Sequence, residues 1–166
     1  MKRFRSLSVA ATFLCGLLFV FISPANAAGG VSLGNVAPAA GATGSVHSAA
    51  GGTGIHPLDI ITCTGKIDNP HKSSHVPGTV NVEASVTCTA PVSALSMQTG
   101  LYRNGILVGS YSNGNTGSPV LAGAFATPCV KGTYIGAAAV NVIFPPGYLP
   151  PAGGFVVESP PVVIAC

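Results

Sequence analysis

The sequence predicts an all-β domain, an immunoglobulin-like sandwich of two antiparallel sheets. Three observations carry that prediction. Apolar residues recur at every second position, as at Val80, Val82, Ala84, Val86 and Cys88, which is the period of a strand with one buried face. Gly and Pro, 22 and 14 of the 166 residues, punctuate the chain too often for long helices. Four cysteines, Cys63, Cys88, Cys129 and Cys166, lie in or beside the alternating stretches. Short strands at this spacing fit a sandwich, with a small β-barrel as the alternative.

The N-terminal residues read as an export signal. Lys2, Arg3 and Arg5 precede an uncharged apolar run over 9–22, then Ser23-Pro24 and Ala25-Asn26-Ala27. That order is a secretory signal peptide over 1–27, cut after Ala27. The run, about 14 residues, is short of the ~20 that span a bilayer. No second long apolar run follows, so the mature chain is expected to have no membrane span. Residues 28–54 are Gly, Ala and Ser with scattered Val and Pro, without charge or aromatic rings. Such a stretch buries too little apolar surface to offset its ordering entropy and reads as a flexible arm, with Val31, Leu33 and Val36 pairing onto a sheet edge as the alternative. Residues 55–166 then form one domain of ordinary size.

Within that domain, Ile61, Cys63, Gly65 and Ile67 share one face of a first strand, and residues 80–88 form the next. Segments 95–103 and 106–112 flank Asn104-Gly105, the dipeptide of a type I′ hairpin turn, in which both central residues take positive φ. Tyr134, Gly136, Ala138, Val140, Val142 and Phe144 alternate along a long strand, and 155–157 and 162–166 close the fold.

Four cysteines allow three pairings. Cys63–Cys88 with Cys129–Cys166 is favoured, because the first pair shares the apolar face of neighbouring strands and the second pins the C-terminal strand. A zinc site competes poorly, since no Cys-x-x-Cys spacing occurs. Disulfides in turn place the chain in an oxidising compartment, secreted or extracellular.

Charge narrows the function classes. The full chain carries a formal +3, but all of that excess belongs to the signal. Lys66, Lys72, Arg103 and Lys131 balance Asp59, Asp68, Glu83 and Glu158 in the mature chain. Without a basic patch, nucleic acid is not an expected partner, and a near-zero charge leaves self-association open. No Gly-x-Ser-x-Gly elbow is present, and no cofactor is implied. The absence of Trp removes the usual sugar-stacking platform.

Two candidate sites remain. His71 and His75 have an i, i+4 spacing that could hold a metal on a helix, with Asp68 nearby, but Pro70, Pro77 and Gly78 bracket them and make a loop the expected setting. The segment Pro145-Pro146-Gly147-Tyr148-Leu149-Pro150-Pro151 joins two strands and holds Tyr148 and Leu149 between proline pairs. A stiff loop presenting an aromatic and an aliphatic side chain loses little entropy on binding.

Asn69-Pro70-His71, the run from His75 to Val82, Cys88 and Leu101-Tyr102-Arg103-Asn104-Gly105 resemble an uncharacterised group of small secreted, disulfide-containing β-domain proteins of Gram-positive bacteria. The resemblance covers 61–166 and implies a secreted β domain without assigning site residues. The expected function is therefore a non-catalytic, structural or protein-interaction role at or near the cell surface, with an extracellular protein or cell-surface component as partner. The alternatives are a metal-binding module using His71 and His75, and a small secreted hydrolase or protease inhibitor.

Overall fold

The computed structural model describes residues 31–33, 43–51 and 59–166. The expected signal peptide over 1–27, its expected cleavage site and most of 28–54 lie outside them. Among the described residues there is no helix and there are eleven strands: β1 (Thr43–Ala50), β2 (Ile60–Ile67), β3 (His71–Lys72), β4 (Thr79–Cys88), β5 (Ala94–Arg103), β6 (Ile106–Thr116), β7 (Val120–Pro128), β8 (Gly132–Ile143), β9 (Tyr148–Leu149), β10 (Ala152–Glu158) and β11 (Val162–Ile164).

They form two antiparallel sheets. Sheet A runs β7-β4-β2-β1-β9, with the short β3 beside β4, and sheet B runs β10-β8-β5-β6, with β11 also on β8. The sheets pack face to face and do not close, so the barrel alternative is set aside. Lettering β2, β4, β5, β6, β7, β8 and β10 as A, B, C, C′, E, F and G gives A-B-E in one sheet and C′-C-F-G in the other. That pairing follows the immunoglobulin scheme, in which B pairs E and C pairs F.

Alternation explains the core. Val80, Val82, Val86, Leu95, Met97, Leu101, Tyr134, Val140 and Val142 all point between the sheets and are buried. Tyr134, at the start of β8, donates its Oη to the Val130 carbonyl (2.7 Å) and accepts from the Val130 amide (3.2 Å). This is the tyrosine corner found at the E–F turn of immunoglobulin-type sandwiches. The β5–β6 hairpin turns on Asn104 (φ 51°) and Gly105 (φ 82°), as the dipeptide requires.

Both favoured disulfides are present. Cys63 and Cys88 lie directly opposite in the β2–β4 ladder. Cys129, just past β7 in sheet A, bonds Cys166, just past β11 in sheet B. The loops they close span 25 and 37 residues, so each is worth about 3–4 kcal/mol in the chain-entropy model.

The flexible-arm reading of 28–54 needs correction. Residues 43–50 are β1, paired with β2 from Thr43↔Lys66 to Ala49↔Ile60. Residues 31–33 lie on the outer side of sheet B. Scarcity of large side chains was the basis of the disorder reading, yet here it is what packing demands. A Cβ on Gly44 would come within 2.7 Å of the Phe155 ring, because that ring fills the space over β1 and β2.

Candidate functional site

The loop between β8 and β10 is fixed to sheet A. Its Tyr148-Leu149 pair forms β9, in register with Ala50 and Ala49 of β1. Ser48, fully buried, donates its hydroxyl to the Pro150 carbonyl at 2.6 Å, and the Gly51 amide donates to Gly147 O at 2.8 Å. Prolines at 145, 146, 150 and 151 restrict φ between those anchors.

Strand pairing separates the two side chains predicted to act together. Tyr148 is opposite Ala50, on the inner face, and packs against the core. Leu149 is opposite Ala49, on the outer face, and is 66% exposed. The two therefore do not form one exposed pair, because adjacent residues of a strand face opposite ways. Leu149 gains a different neighbour instead. Ala49 pairs on its other side with Ile60, which is 57% exposed. Leu149, Ala49 and Ile60 thus stand side by side across three strands, an apolar stripe about 10 Å wide at one end of sheet A. Ile60 was invisible as a surface residue because Ile61 beside it carries the same side chain into the core. The phase of Ile61, Cys63 and Gly65 is the signal that turns Ile60 outward.

The histidines are placed apart in character. His71 lies in β3 and is exposed, its Nδ1 3.0 Å from Asn69 O. This corrects the loop expectation at that position, since β3 pairs His71 with Asn81. His75 lies in the bend before β4, where Ser73 Oγ accepts from the amides of His75 and Val76. No group of three His, Cys, Asp or Glu side chains able to hold a metal occurs among the described residues.

Glu158 is the one buried acid among the described residues. It ends β10 on the outer side of sheet B, and its Oε2 has no hydrogen-bond partner among the described residues. Burial raises its carboxyl above the ordinary value, and burial followed by the Glu158 charge raises the Tyr102 phenol.

No protein-family model, curated protein or solved structure matches this chain. No helix among the described residues is long and apolar enough to cross a membrane.

Proposed function

We propose that this protein is exported by residues 1–27 and acts outside the cell as a non-catalytic interaction domain. Its contact surface is the stripe Leu149–Ala49–Ile60, and its partner is an extracellular or cell-surface component with a complementary apolar patch. The observation that carries this reading is the exposure of Leu149 and Ile60 on neighbouring strands, held by a loop that is tied to β1. A pre-ordered apolar patch keeps most of its burial energy on binding, since few rotors remain to be frozen. Two disulfides support an oxidising compartment.

The test uses purified mature protein and intact producing cells. The double variant Leu149→Ser, Ile60→Ser is expected to keep the parent's thermal midpoint and to lose cell-surface binding at least tenfold. Parent-like binding by that variant would remove the stripe from the proposal. N-terminal sequencing of protein from the medium should begin at Ala28.

A further inference from the structure

The outer face of sheet B holds an extended segment of the chain by its backbone. Val31 N donates to Asn141 Oδ1 at 2.7 Å, and Asn141 Nδ2 donates back to Val31 O at 2.9 Å. One side-chain amide thereby makes the pair of bonds that a neighbouring strand would make. Two residues on, Leu33 N donates to Gln98 Oε1 at 3.0 Å, and Ser32 Oγ reaches the same oxygen at 3.1 Å. Gln98 is itself oriented, its Nε2 donating to Ser110 Oγ at 2.8 Å.

The groove also selects side chains. Residues i and i+2 of an extended segment point the same way, and both Val31 and Leu33 turn toward the sheet. Leu33 is 8% exposed, clustered with Tyr102, Ala137 and Ala139. Small residues make the floor. A Cβ on Gly100 would stand 3.1 Å from Leu33 Cδ1, and one on Gly154 3.0 Å from Val31 Cγ2, as well as crowding nearby backbone oxygens. Among the described residues, no charged group contributes a hydrogen bond to the segment.

We propose that this face is a peptide-binding site for an extended, uncharged apolar-x-apolar segment, and that its ligand is Val31-Ser32-Leu33, supplied in cis by the same chain and in trans by a second copy. Identical segments make identical contacts in either arrangement, the condition under which element exchange between protomers is cheap. Residues 34–42 join the segment to β1. Cleavage after Ala27 would make Val31 the fourth residue of the mature chain, so a free end could enter or leave without threading. That last point rests on the export reading, which N-terminal sequencing checks separately.

The experiment uses the full mature chain and a fluorescent peptide of residues 28–35. Leu33→Asp empties the groove without touching the core between the sheets. This variant is expected to bind the peptide roughly tenfold or more tightly than the parent, whose groove is filled. Adding Asn141→Ala to it should weaken binding by a similar factor. Equal binding to parent and variant, no binding up to about 1 mM, or indifference to Asn141→Ala overturns the site. Should Leu33→Asp misfold, hydrogen exchange on the parent decides. The Val31 and Leu33 amides must exchange far more slowly than in the free peptide, and free-peptide rates overturn the docking. For the trans arrangement, Leu33→Asp keeps an intact groove and Asn141→Ala keeps an intact segment. Their equimolar mixture should sediment as a dimer at concentrations where each alone is monomeric, and a monomeric mixture overturns the exchange.

Discussion

The outer faces of the two sheets follow opposite rules. On sheet A, Thr64, Lys66, Glu83, Thr87, Ala122 and Ala124 face water directly. On sheet B, Tyr102, Ile135, Ala137 and Ala139 would present a connected apolar surface, and the chain lays Val31 and Leu33 over it. The difference teaches why β1 is preceded by a segment of alternating apolar residues. A sheet with two apolar faces needs a second cover, and when no helix or third sheet supplies one, a few residues of extended chain can. Polar backbone is tolerated there only because Asn141 and Gln98 satisfy it.

The harshest way to break the contrast is to loosen the two sheets from each other. Replacing Cys129 and Cys166 by Ser removes the disulfide that joins them and is expected to cost about 4 kcal/mol. The thermal midpoint should fall on the order of 15 °C, and a fall of a few degrees would show that packing alone holds the layers. Leu33→Ala comes next. It should cost about 2 kcal/mol in denaturant unfolding, whereas Thr64→Ala on sheet A stays within about 0.5 kcal/mol. Equal effects from the two would erase the distinction between the faces. Tyr134→Phe probes the layer that both sheets share. Leaving the Val130 amide and carbonyl without the phenol should cost about 1–2 kcal/mol, and no loss would mean that the tyrosine corner is decorative.

The smallest effect concerns Glu158, whose carboxyl is raised by burial. A group raised in the folded state favours folding while protonated. Its contribution is complete below the ordinary carboxylate range and is lost as pH rises through the raised value. Glu158→Gln should therefore flatten the stability profile from the ordinary carboxylate range upward, by a small amount, as read from denaturant unfolding across pH. Tyr102, which feels the Glu158 charge, titrates only at much higher pH. Parallel profiles for parent and variant would assign the acid-side slope to other groups.

Much of the two-layer fold was legible because alternation is a one-dimensional signal. β2, β4, β8 and the β5–β6 hairpin announce themselves through Ile61 to Ile67, Val80 to Cys88, Tyr134 to Phe144 and Asn104-Gly105. β7 was not, because its residues Ala122, Gly123, Ala124 and Ala126 are small and say little about strand preference. It is a strand through its ladder with β4, from Thr79↔Pro128 to Thr87↔Val120. β1 was hidden for the same reason. The candidate loop was found by composition, but which of its side chains faces outward depends on pairing with β1. The groove on sheet B was least legible, since it joins residues near 31, 98 and 141, and nothing local marks a glutamine or asparagine as a backbone reader.

At the flank where β6 of one sheet approaches β7 of the other, Asn113 and Asn115 donate their amides to the carbonyls of Ala122 and Val120, each at 2.7 Å. An exposed edge is an invitation to accretion by any extended chain nearby. Two occupied oxygens interrupt the row that an intruder would have to match, so copies of this chain are hindered from stacking into fibres along that border.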